Sequence, residues 1–135
     1  MSQNRTILAL DVGEKRIGVA IADGIVSIAS PLTTIAVDGN EMSQISRIAQ
    51  QEQVATIVVG YPRNQSGEPT AQSGIVEAFK DRLKEIIDLE IVYQDESLTS
   101  VLAEERLKSY KKPYTKADVD AQAATLILQD YLERT

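Results

Sequence analysis

An unbroken apolar run at residues 7–10 opens the hydrophobic pattern of the chain, and its lack of polar alternation predicts a strand covered on both faces. Asp11 stands where this strand ends, and Gly13 allows the chain to turn. Apolar side chains then recur at every second position from Ile17 to Ile21, which predicts a returning strand. Residues 7–23 are therefore predicted to form a hairpin that carries an acid at its open end.

Beyond this hairpin, the pattern predicts three more strands and four helices. The third strand is interrupted by Pro31, which favours a sheet edge because proline cannot donate to a ladder. A long polar loop is expected from Gly60 to Gly74, between the fourth strand and the next helix. The strands are predicted at 26–37, 54–60 and 90–94. The helices are predicted at 41–53, along an apolar stripe of Ile75, Val76, Phe79, Leu83, Ile86 and Ile87, at about 98–110 and at about 116–134.

This order of elements predicts a ribonuclease H-like α/β fold, with a five-stranded mixed sheet and helices on both faces. The first three strands connect tightly while the later two need crossovers, which fits that architecture better than a doubly wound sheet. With 135 residues and 43% hydrophobic composition, residues 1–135 are expected to form a single domain that needs no disulfide or metal staple.

The chain contains no cysteine and no histidine. It therefore cannot form a thiolate nucleophile, a Ser-His triad, a Cys or His zinc site or an imidazole base. Carboxylates remain, and they suit Mg²⁺ or Mn²⁺. The net charge of −6 argues against a broad basic surface for nucleic acid, although a local basic patch is compatible with it. With no apolar run of about 18 residues and a polar start, a cytoplasmic protein without a membrane segment is expected.

Acids stand at the ends of two predicted strands, Asp11 after the first and Asp95-Glu96 after the fifth. The carboxyl ends of the first and fourth strands are expected to share an edge, where open α/β sheets bind ligands. Each acid also has an ordinary structural interpretation, Asp11 as a turn former and Asp95 or Glu96 as a helix cap.

The last helix supplies an independent clue. At about 100° per residue, Asp120 falls within the apolar stripe of this helix, whereas Asp118 points nearly the opposite way. A carboxylate on a buried face needs a partner. That partner is either a divalent cation shared with Asp11 and Glu96, or a basic side chain from among Lys15, Arg16, Arg63 and Lys116.

Four segments resemble the YqgF family of RuvX-type, Holliday-junction-resolvase-like proteins, which are associated with cleavage of precursor 16S rRNA. They are DVGEKRIGVAIAD, VVGYPRNQSGE, DESLTS and VDAQAATLILQDYL, in order along essentially the whole chain. The resemblance implies a ribonuclease H-like fold and catalytic acids at Asp11, Glu96 and Asp120. The family usually carries arginine where this chain has Ser97. An arginine there could contact a phosphate, and Arg16, Arg63 or the pair Lys111 and Lys112 are candidates to compensate for its replacement by serine.

These features together predict a nuclease that hydrolyses phosphodiester bonds with Mg²⁺ or Mn²⁺ held by Asp11, Glu96 and Asp120. Precursor rRNA is the expected substrate, with Lys15, Arg16 and Arg63 positioning phosphates. A four-way DNA junction, or a non-catalytic role in nucleic-acid binding, is the alternative. The Asp-x-Gly turn also resembles the phosphate loop of longer, two-lobed ATPases. Both a monomer and a homodimer are compatible with the sequence.

Overall fold

A computed structural model describes residues 5–62, 68–96 and 99–134, with the side chains of 99–101 excepted. Two positions of interest, Arg63 and Ser97, lie outside the described residues. The five strands are β1 Thr6–Val12, β2 Arg16–Asp23, β3 Ile28–Ala36, β4 Val54–Pro62 and β5 Glu90–Glu96. The four helices are α1 Glu41–Gln51, α2 Ala71–Ile86, α3 Thr99–Ser109 and α4 Lys116–Arg134.

The strands form one mixed sheet in the order β3-β2-β1-β4-β5. The hairpin partners β1 and β2 are antiparallel, as are β2 and β3, while β4 runs parallel to both β1 and β5. The edge position of β3, which contains Pro31, is as predicted. The five-stranded mixed sheet with tight early connections and later crossovers is confirmed.

Helices cover both faces of the sheet, and the two faces differ in the size of their side chains. On one face, α1 and α2 pack against large residues such as Leu8, Leu10 and Ile57. On the other face, α4 packs against a floor that includes Ala9 and Ala20. Small side chains allow a helix to approach the sheet closely, and α4 lies mainly over β2 and β3 and extends over β1. Helix α3 packs against α4.

Two details of α2 differ from the predictions. The helix begins at Ala71, where Thr70 and Ser73 form a capping box, and β4 continues to Pro62. The connection is therefore limited to residues 63–70, shorter than the predicted loop. In addition, Ile75 and Ile86 are 42% and 51% exposed, so their assignment to the buried stripe is wrong. At about 100° per residue they lie roughly 80–100° from Val76, at the margin of the buried face.

Candidate active site

Asp11 faces α4 because side chains alternate along β1. Ala9 belongs to the cluster under α4, whereas Leu8 and Leu10 pack on the opposite face, so the next residue after Leu10 again faces α4. Within the sheet, Asp11 pairs with Gly18 of β2. Since Leu10 pairs with Val59, Gly60 follows at the corresponding position of β4. The acid therefore lies between two strands that present no side chain next to it.

Gly18 allows the backbone of α4 to touch the sheet. A Cβ atom built on this residue would lie 1.9 Å from the carbonyl oxygen of Asp120 and 2.4 Å from its carbonyl carbon. No L side chain fits such a space. The glycine in β2 thus sets the depth of α4, and it brings Asp120 close to the strand position that is paired with Asp11.

Gly60 leaves room for the carboxyl group of Glu96. A Cβ atom on Gly60 would lie 3.0 Å from Glu96 Oε2, 3.1 Å from its Cδ and 2.7 Å from Ile127 Cδ1. Glu96 is at the end of β5, beside Pro62 in the register. Its side chain therefore leans back across β4 towards Asp11, through the space that the glycine leaves open.

The electrostatics of Asp11 follow from this crowding. Burial, the negative charges of Glu96 and Asp120, and a side-chain hydrogen bond with Glu96 together raise the pKa of Asp11 from 3.8 to about 8. At neutral pH and without metal, the Asp11 carboxyl group therefore retains a proton, which the hydrogen bond shares with Glu96. Glu96 and Asp120, the other two acids predicted from the sequence, therefore both act on Asp11 at the carboxyl end of β1.

Asp120 has a cationic partner, Arg16 at the start of β2. The Nε atom of Arg16 donates a hydrogen bond to Asp120 Oδ2 at 2.6 Å, with side chains that are 37% and 26% exposed. The basic partner that the sequence offered as one alternative is thus present, and it is Arg16 among the four candidates. By contrast, Asp118 is exposed and caps α4, because its Oδ2 accepts the backbone N–H of Thr115 at 2.9 Å.

The donor chemistry of the three acids suits a hard divalent cation, because it consists of carboxylate oxygens alone. Among the described residues, however, no group of three such side chains is already arranged as a metal site. Without a metal ion, the negative charge of the three acids is offset by a proton on the Asp11–Glu96 pair and by the guanidinium group of Arg16. The residues fit a divalent cation that replaces this proton and rearranges Asp120.

Three of the other basic residues predicted to contact phosphate, Lys15, Lys111 and Lys112, lie on the surface. Lys15 is exposed at the tip of the β1–β2 hairpin. Lys111 and Lys112 are exposed in the connection that precedes α4, at the same end of that helix as Asp120. No hydrogen bond or ion pair joins these three lysines to Asp11 or Asp120 in the described part of the chain.

Two site residues were missed by the sequence predictions, Gly18 and Gly60. Their signal was available, since a glycine inside an apolar strand often marks the close approach of another chain segment. A cavity of about 400 Å³ opens on the opposite face, between the hairpin and α2, and none of the three acids lines it. The three acids lie instead on the α4 side of the sheet, at the carboxyl end of β1.

The chain is similar to known proteins in both sequence and fold. A family profile described as "RuvX: Holliday junction resolvase" matches residues 5–134. The chain belongs to the RuvX family. A "putative pre-16S rRNA nuclease" of Chloroflexus aurantiacus is 45% identical over 134 residues, covering 96% of this chain and 88% of the relative. One with the same description from a Synechocystis species is 41% identical over 137 residues, covering 98% and 90%.

Solved structures resemble this RuvX-family chain in fold. The fowlpox virus resolvase in complex with Holliday junction DNA has a TM-score of 0.57 and 13% identity, covering 96% of this chain and 97% of that one. RuvC of T. thermophilus with a Holliday junction substrate has a TM-score of 0.55 and 10% identity, covering 97% and 95%. The predicted ribonuclease H-like fold is confirmed.

Membership of the RuvX family also confirms the prediction of a nuclease, a hydrolase that acts on phosphodiester bonds of nucleic acid. Nucleases of this kind generally use divalent metal ions. Within the described part of the chain, no helix has both the length and the apolar character needed to cross a membrane.

Proposed function

We propose that this protein is a cytoplasmic nuclease that cleaves precursor 16S rRNA near an end of the mature sequence, using Mg²⁺ or Mn²⁺. The observation that carries the proposal is the meeting of Asp11, Glu96 and Asp120 at one end of the sheet, where burial and the charges of the latter two raise the pKa of the first. The descriptions of the Chloroflexus and Synechocystis relatives support the choice of substrate.

In the proposed site, Asp11 is the central ligand because it lies between Gly18 of β2 and Gly60 of β4, and the other two acids approach it over these glycines. Glu96 reaches it over Gly60, and Asp120 reaches it over Gly18. When bound, divalent ions lower the pKa of an attacking water and neutralise charge on the leaving oxygen. This chemistry suits a chain without histidine, since no imidazole is needed to remove the proton.

The protein's own basic side chains are proposed to hold the substrate. Arg16 and Lys15 lie on the hairpin beside the acids, and Lys111 and Lys112 lie before α4. Arg63 follows β4 directly in the sequence and is proposed for the same role. Because the net charge is −6, binding is expected to depend on this local group of cations and to weaken as salt concentration rises.

Resolution of a four-way DNA junction is the second candidate, favoured by the description of the matching family. The whole chain is proposed to act as one domain, either as a monomer or as a homodimer. A junction has two-fold symmetry and two strands to cut, so junction cleavage favours the homodimer, whereas trimming an RNA end requires one site.

The test compares a labelled precursor-rRNA fragment with a labelled four-way junction, each incubated with the purified protein and Mn²⁺ or EDTA. Cleavage of the RNA at one position, lost with EDTA and lost in Asp120→Asn, is the expected result. The matched control is Asp118→Asn, an identical change two residues away on the same helix, which should cut normally. If the protein cleaves only the junction, the substrate is branched DNA and not precursor rRNA. If Asp120→Asn cleaves as well as the unmodified protein, the assignment of Asp120 to the active site is wrong.

A further inference from the structure

Arg16 makes one strong side-chain interaction in the described part of the chain, the 2.6 Å hydrogen bond from Nε to Asp120 Oδ2. The backbone of Arg16 is fixed, since its carbonyl oxygen accepts the N–H of Gly13 at 2.9 Å and the residue pairs with Ala36 of β3. Any movement of its charge must therefore come from rotation of the side chain. With 37% of that side chain exposed, the guanidinium group has solvent to move into.

A divalent cation and Arg16 compete for the same carboxylate. A metal ion bound between Asp11 and Asp120 would repel the guanidinium group, because both carry positive charge at a separation of a few ångströms. The repulsion is only weakly screened, since the Arg16–Asp120 pair is partly buried. Metal binding thus favours the state in which Arg16 has left Asp120.

A phosphate group favours the same state by attraction. The guanidinium group presents a planar set of N–H donors that matches the oxygens of a phosphate, and such bidentate contacts are among the strongest hydrogen bonds in proteins. A backbone phosphate next to the acids offers Arg16 a replacement for Asp120. Its departure leaves Asp120 available to the metal ion.

We propose that Arg16 is a positioning residue that couples metal binding to substrate binding, by exchanging Asp120 for a substrate phosphate. This inference rests on the proposed function, since it requires both a divalent ion and a nucleic-acid backbone at this edge. The exchange implies that the metal ion and the nucleic acid each bind with lower affinity alone than when the other is present. Because coupling between two ligands is reciprocal, each raises the affinity of the other by the same factor.

The experiment measures both affinities without relying on cleavage. The probe is a dye-labelled, 2′-O-methyl phosphorothioate RNA oligonucleotide, chosen to resist hydrolysis. Its dissociation constant is measured by fluorescence anisotropy with and without Mn²⁺, and that of Mn²⁺ by electron paramagnetic resonance with and without the oligonucleotide. For the unmodified protein, each ligand should lower the dissociation constant of the other by about tenfold, which is within the range usual for coupled sites.

Variants separate this role from a merely structural ion pair. Arg16→Gln should bind Mn²⁺ several-fold more tightly in the absence of RNA, bind the oligonucleotide more weakly, and show a coupling factor close to one. Arg16→Lys keeps the charge without the planar donors and should retain part of the coupling. The matched control is Arg47→Gln, which neutralises an exposed arginine on α1 at the other face of the sheet and should retain the tenfold coupling.

Asp120→Asn provides a second route to the same conclusion if Arg16→Gln folds poorly, as judged by its melting temperature. This variant releases Arg16 by removing the charge of its partner. It should bind the oligonucleotide more tightly in the absence of metal and show no coupling. Full coupling in Arg16→Gln, or independent binding of the two ligands to the unmodified protein, overturns the role of Arg16 but leaves the proposed nuclease function standing. A protein that binds neither Mn²⁺ nor the oligonucleotide overturns the proposed function as well.

Discussion

Replacing Asp11 by Asn should stabilise the metal-free protein, and the gain should grow as the pH rises. The pKa of Asp11 is raised from 3.8 to about 8 in the folded state. Between these values the folded protein keeps a proton that the unfolded chain has lost. Stability contributed by this group is therefore present below about pH 4 and is lost as the pH rises towards 8. Asparagine has no proton to lose, so its contribution is constant.

The size of the effect follows from the shift in pKa. Within this window, the unfolding free energy of the unmodified protein falls by up to about 1.36 kcal/mol per pH unit, or about 2.7 kcal/mol between pH 5 and pH 7. Asp11 keeps some exposure to solvent and shares its proton with Glu96, so we expect about half of this value. The side-chain amide of the introduced asparagine can still donate a hydrogen bond to Glu96, which preserves that contact.

The assay is urea unfolding in EDTA at pH 5, 6, 7 and 8, for the unmodified protein and for Asp11→Asn. The difference in unfolding free energy between the two should rise with pH by about 0.7 kcal/mol per unit, in favour of the variant. The control is Asp88→Asn, which changes an exposed acid before β5 and should show no such trend. A variant that is less stable at pH 8 would refute the electrostatic account of the site.

Four further predictions concern three glycines and the proton of Asp11. Gly18→Ala should cost at least about 3 kcal/mol of unfolding free energy in urea titrations, because its Cβ would collide with the backbone of α4. Gly74→Ala should instead stabilise α2 by about 0.5–1 kcal/mol, because no described residue outside its own helical turn lies within 4 Å of the added Cβ. Gly60→Ala should weaken Mn²⁺ binding, measured calorimetrically, by displacing Glu96. Finally, the affinity for Mn²⁺ should rise about tenfold per pH unit below pH 8, because the ion must displace the proton of Asp11.

Most of the fold could be predicted from the sequence because its signals are local. Apolar runs and alternation located the hairpin and the later strands, and the range 116–134 for the last helix agrees with α4. Helix phase distinguished Asp120, which faces the sheet side, from Asp118, which caps the helix. The misassignment of Ile75 and Ile86 in α2 shows where phase alone is insufficient, since the width of a buried face depends on what packs against it.

The contacts between elements could not be predicted in the same way. Four basic residues were equal candidates for the partner of Asp120, and the choice of Arg16 depends on how β2 lies beneath α4. That arrangement is set by Gly18: a glycine inside an apolar strand indicates a close approach, but only the structure shows that the approaching segment is the backbone of α4 at Asp120. The sequence suggested a basic partner and a divalent cation as alternatives. In the proposed exchange both occur in turn, with Arg16 as the partner of Asp120 before the metal ion binds.

The central claim is that three distant carboxylates meet around a divalent ion, and diffraction from crystals soaked in Mn²⁺ tests it most directly. Anomalous scattering should locate at least one Mn²⁺ ion within about 2.5 Å of carboxylate oxygens from Asp11, Glu96 and Asp120, with Arg16 turned away. An ion bound elsewhere, or no ion at all and Arg16 still on Asp120 at millimolar Mn²⁺, would contradict the account.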